Sequence, residues 1–148
     1  MTTYRLDFGP EWSKGIVTKE PPGIGKAFVG RVPAVDEAGN DRAGIRLPEI
    51  AVPLATHTGW NYRKPSIGAP DRLASEIGSY LPLPLTEADR KKSGDARRSI
   101  AERYASLEDY IGRISLAAVN LVLDQFLLPE DVPAIIERAR AHYEWATR

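Results

Sequence analysis

From residue 106 onward, apolar positions recur at three- and four-residue steps. Leu107, Tyr110, Ile111, Ile114, Ala117, Ala118, Leu121 and Val122 form a stripe that runs on to Phe126. Residues spaced this way share one face of a 3.6-residue helix, so Ser106 is predicted to open the longest helix. Val132, Ile135, Ile136, Ala139 and Tyr143 make a second stripe. Pro129 stands where a first-turn proline is tolerated, and Glu130 and Asp131 suit a helix N-terminus. The short link between the stripes predicts an antiparallel helix pair. Such a pair leaves apolar area uncovered, so the first half of the chain, or another chain, must complete the core. Just upstream, Thr86 precedes Glu87, Ala88 and Asp89. That predicts a short helix through about Lys92, stopped by Gly94. Ser99 and Glu102 have the spacing of a capping box.

The pattern before residue 86 is different. Residues 1–85 hold ten of the twelve glycines and ten of the twelve prolines. Both residue types punctuate the backbone, so short strands and long turns are expected there. Residues 27–35 (AFVGRVPAV) read as extended and 36–41 as a turn. Residues 44–47 (GIRL) resume the extended pattern, which makes a β-hairpin. Residues 49–55 (EIAVPLA) read as a further strand interrupted by Pro53, while 9–26 and 59–70 read as irregular. The predicted fold class is α+β: a Gly/Pro-rich half over 1–85 with short strands, then a helical half over 86–148. The 148 residues suit one domain, 1–148.

Composition narrows the chemistry. Twenty basic and twenty acidic side chains cancel to zero net charge, so no general affinity for nucleic acid or anionic membrane is expected. The chain has no cysteine, which excludes thiolate catalysis and thiolate metal sites. Two histidines, His57 and His142, are too few for a histidine metal cage. No secretory h-region precedes residue 20. The apolar run 116–123 is far short of the roughly 20 residues of a bilayer span, so a soluble, cytoplasmic protein is expected.

Few motifs survive inspection. The stretch 22–26 (PGIGK) lacks the upstream glycine and following hydroxyl of a phosphate loop and reads as a turn. Asp36, Glu37, Asn40 and Asp41 lack the spacing of a calcium loop. Arg90, Lys91, Lys92, Arg97 and Arg98 are interleaved with Glu87, Asp89, Asp95 and Glu102, as on a solvated helix surface. No G-x-S-x-G elbow occurs anywhere in the chain. A carboxylate enzyme built on Glu49 and Asp71 has no spacing to support it. No catalytic residue, metal ligand or cofactor is assigned. His142 is expected on the outer, exposed side of the last helix. The densest polar and aromatic mixture lies in 44–61. It nominates Arg46, Glu49, His57, Trp60 and Asn61 as ligand-binding candidates, because pockets are apolar with a few placed polar groups.

The run 35–61 (VDEAGNDRAGIRLPEIAVPLATHTGWN) resembles the C-terminal region of a family of alpha/beta-hydrolase-domain proteins of largely unassigned substrate. The likeness extends upstream to 6–12 (LDFGPEW), 15–22 (GIVTKEPP) and 25–28 (GKAF). Downstream it covers 68–82 (GAPDRLASEIGSYLP), 93–104 (SGDARRSIAERY) and 127–136 (LLPEDVPAII). The resemblance implies that this segment follows the hydrolase core, with the serine elbow and the triad histidine upstream of it. No catalytic residue carries over. His57 departs from the family, which more often has an aromatic residue there. The implied function is an accessory segment of an esterase-like hydrolase, partnered by a hydrolase core and not catalytic alone. The alternative is a binding module that associates with itself or with a hydrolase subunit.

Overall fold

The computed structural model describes residues 3–70, 72–74 and 77–148. Three small sheets lie in the first half of the chain. β1 (Tyr4–Asp7) pairs antiparallel with β2 (Gly23–Ala27). β3 (Ala55–Thr58) pairs antiparallel with β6 (Ser79–Pro82), placing His57 opposite Tyr80. Inside that connection, β4 (Asn61–Tyr62) pairs with β5 (Leu73–Ala74). Among the described residues every sheet has two strands.

The helical half follows its local signals. α2 (Glu87–Ser93) is opened by a capping box between Thr86 and Asp89 and closed by Gly94 in the left-handed region. α3 (Ile100–Arg103) opens on the Ser99–Glu102 capping box. Glu102 also receives two bonds from the Arg90 guanidinium, at 2.8 and 3.0 Å, which ties α2 to α3. These bonds and the Ser99 cap hold the Glu102 carboxyl down at about 2. α4 (Leu107–Leu123) starts at Ser106, whose oxygen accepts from the Asp109 amide. α5 (Val132–Ala146) follows a 3-10 turn at Pro129–Asp131. Tyr110, early in α4, stacks 5.1 Å from Tyr143, late in α5, so the two helices run antiparallel. Their facing stripes join Leu54, Leu83, Ile100 and Tyr104 in one core. The Tyr104 hydroxyl donates to the Pro53 carbonyl at 2.9 Å, and burial raises that phenol to about 12.

The structure departs from expectation in both halves. Residues 22–26, read as a turn, and the stretches 9–26 and 59–70, read as irregular, contribute strands β2 and β4, because each finds an antiparallel partner in β1 and β5. The hairpin of 27–35 with 44–47 shrinks to one bridge between Val35 and Asp41, and residues 44–47 form no strand. Val29 and Val32 are 98% and 87% exposed, and an apolar run with no face to bury it gains little from pairing. Residues 49–55 are not one strand. Pro48 at the first turn and Glu49 after it start a short helix, α1 (Pro48–Ala51), before β3 begins. The α4 stripe stops at Leu123 and not at Phe126. Gln125 takes φ +63°, and the Phe126 amide turns back to the Leu121 carbonyl at 2.8 Å.

One tight turn positions the site. The Asp36 carboxylate accepts from the amides of Ala38 and Asn40, at 2.8 and 3.0 Å. Gly39 adopts φ +80°, and a Cβ there would sit 3.0 Å from Thr56. The turn presents Asn40, fully buried, to β3. Its Nδ2 donates to the Ala55 carbonyl at 3.0 Å, and its Oδ1 accepts from the His57 amide at 2.7 Å.

The helices carry more apolar surface than the core uses. On α4, Leu116 and Leu123 lie opposite the buried face and are 63% and 74% exposed. A compact monomer of this mass exposes roughly 7,500 Å² by the surface–mass scaling. This chain, at 16.3 kDa, exposes 10691 Å².

Candidate functional site

A cavity of about 380 Å³ lies between the β3–β6 sheet, α1 and the helix pair. Glu49 comes from α1, His57 from β3 and Tyr80 from β6; Tyr110 and Ile114 come from α4, and Ile135, Arg138, Ala139 and His142 from α5. Strand register sets half of this arrangement. His57 and Tyr80 are cross-strand partners, and their rings meet edge to face at 5.3 Å. The helical repeat sets the other half, since 135, 139 and 142 lie on one face of α5.

Tyr80 and His142 are 2.6 Å apart, hydroxyl oxygen to Nε2, joining β6 to α5. Burial holds both histidines below the usual imidazole range. His57 adds to the depression of His142, while the Glu49 carboxylate opposes the shift in both. Burial also pushes the phenols of Tyr80 and Tyr110 upward. The cavity therefore presents two neutral imidazoles and two protonated phenols around one carboxylate. His57 Nε2 is buried without a hydrogen-bond partner.

Of the five nominated residues, the structure brings Glu49 and His57 together in this cavity. Trp60 lines a neighbouring groove of about 610 Å³ with Tyr62 and Val32, which His57 also borders. Arg46 is turned to other work. It pairs with Asp36 and donates to the Ile50 carbonyl at 2.8 Å, holding the turn against α1. Asn61 accepts from its neighbour's amide, Tyr62, at 2.8 Å and lines neither space. Asp71 lies outside the described residues.

Tyr80 and His142 escaped the sequence reading. His142 is half-buried, not exposed, because it falls seven residues after Ile135 and three after Ala139, on the buried face. That periodicity was available in the sequence. Tyr80 had no local signal; only the pairing of β3 with β6 brings it to His57. The other motifs are accounted for by structural contacts. Residues 23–27 are strand β2, Glu37 pairs with Arg103 at 3.0 Å, and Arg90 and Arg97 pair with Glu102 and Asp95. Among the described residues no cluster of three His, Asp or Glu side chains is placed to hold a metal ion.

Two phenols, two imidazoles and a carboxylate thus share one cavity. No serine or threonine among the described residues lines it. Serine-type acyl transfer needs such a hydroxyl held by a base and facing an oxyanion site.

Residues 10–137 match the family described as alpha/beta hydrolase domain, and the chain belongs to that family. No curated protein and no solved structure matches it. No helix among the described residues is long and apolar enough to cross a membrane.

Proposed function

We propose that this chain is a C-terminal accessory segment of an esterase-type alpha/beta-hydrolase, seated on a hydrolase core and not hydrolytic by itself. One observation carries the reading: a chain that matches the family over residues 10–137 has no serine elbow and, among its described residues, only two-stranded antiparallel sheets. A doubly wound hydrolase core is a parallel sheet with helices on both faces. The surface supports a missing partner. The excess over a compact monomer is roughly 3,000 Å², enough for one side of a large permanent interface. α4 is apolar on both sides from Ile114 onward, which is the pattern of a helix covered on both sides. The groove at Trp60 and the loops before β3 would then border the substrate entrance.

Two measurements test this. The purified chain, given activated short-chain esters, is expected to show no enzymatic turnover. Turnover lost on changing one serine or His57 would overturn the reading. Sedimentation with a hydrolase core of the same family is expected to give a one-to-one complex, weakened by Leu116→Glu or Leu123→Glu. A stable homodimer that ignores the core would favour the self-associating module instead.

A further inference from the structure

The cavity contains more hydrogen-bonding capacity than the protein uses. Glu49 forms no ion pair among the described residues. Tyr110 is 1% exposed, its ring held between Tyr104 and Tyr143 at 5.0 and 5.1 Å, yet its hydroxyl has no described protein partner. The buried Nε2 of His57 is likewise unpartnered. Buried polar groups in native proteins are nearly always paired. One buried unpartnered nitrogen, His57 Nε2, lines the same cavity as a half-buried carboxylate without an ion pair and the Tyr110 phenol, and together they point to a ligand that pairs them.

Their chemistry specifies its kind. A carboxylate only accepts hydrogen bonds, a neutral imidazole nitrogen accepts one, and a phenol can do either. The walls add the aromatic side chains of Tyr80 and Tyr110 and the apolar side chains of Ile114 and Ile135. Among the described residues lining the space, Arg138 is the one permanent cation, and it is exposed on α5. An anion inside would meet Glu49. A metal ion would need a cluster of donors that the described residues do not form. The volume, about 380 Å³, suits a small molecule.

We propose that the cavity binds a small organic amine in its ammonium form. Glu49 takes the charge, His57 Nε2 and the Tyr110 oxygen accept N–H bonds, and Ile114 and Ile135 cover the carbon chain. The walls all belong to this chain, so the inference stands apart from the accessory reading, and neither the ester assay nor sedimentation bears on it.

The test is an NMR titration of the full chain at pH 7.5 and constant ionic strength with butylammonium chloride, butanol and sodium butyrate. Butylammonium is expected to shift the His57 and Tyr110 ring signals saturably. Butanol should bind at least tenfold more weakly, and butyrate should leave those signals in place. Glu49→Gln should weaken butylammonium binding tenfold or more. Tyr110→Phe, which removes one oxygen and keeps the packing, should weaken it severalfold. Equal binding of butanol or butyrate, undiminished binding in both variants, or no saturable shift with butylammonium would each overturn the proposal.

Discussion

Residues 3–35 and residues 36–148 are held in different ways. No side chain in the first segment is buried. Its order comes from the β1–β2 ladder, the Phe8–Trp12 ring contact at 4.5 Å and the Asp7–Lys19 pair at 2.7 Å, all at the surface. The second segment contains the whole core, and its polar contacts cross between elements distant in sequence. Arg97 alone donates to Thr56 at 2.8 Å, to the Leu81 carbonyl at 2.9 Å and to the Pro82 carbonyl at 3.1 Å. The difference teaches that backbone pairing and burial are separable. A two-stranded ladder without a buried face is marginal in water, whereas a buried side chain contributes wherever it packs.

Substitutions can break that contrast or sharpen it. The largest effect is expected at the centre of the core. Ile114→Ala should cost about 2–5 kcal/mol in urea unfolding, because it opens a cavity among fully buried neighbours. A loss below about 1 kcal/mol would put Ile114 at the level of a surface change and erase the contrast. Asn40→Ala comes next, at about 2–4 kcal/mol, since it strands the Ala55 carbonyl and the His57 amide in a buried place. Ser99→Ala removes one cap and should cost about 1 kcal/mol.

A weaker, pH-linked effect should be confined to the second segment. His57 and His142 are held below the ordinary imidazole value of about 6.5 in the folded chain. As pH falls beneath that value, the unfolded chain takes up protons first, so the contribution is fully present above it and is lost on acidification towards the folded values. The melting temperature should therefore drop between pH 7.5 and 5, and the drop should shrink in His57→Gln/His142→Gln. An equal drop in that variant would remove the histidines from the account. Smallest of all, Val29→Ala should change stability by no more than about 0.5 kcal/mol.

What could be read from the sequence was local. Thr86 and Ser99 announce their helices because a cap is a bond between residues three apart; the Ser99–Glu102 box forms as spaced, and Thr86, legible only as a cap, forms a box with Asp89. The apolar stripes of α4 and α5 are legible for the same reason. The short helix at Pro48 was masked by the β-prone run after it, although a proline followed by an acid is a first-turn signal. Of the nine residues lining the cavity, the sequence nominated Glu49 and His57 for a site. Tyr80 depends on a strand pairing between segments more than twenty residues apart, which no spacing within either strand encodes. Arg46 drew attention as a charge in a polar stretch, and only the fold of the turn shows that Asp36 occupies it.

Asn40 grips the backbone at position 57 and leaves the imidazole alone. Strand register there does not depend on which side chain the residue carries. Position 57 is thus a place where the hydrogen-bonding character of the wall can be exchanged by a single codon change while Asn40 keeps its hold on the backbone. A lineage diversifying its choice of small molecule would find its cheapest route through that site.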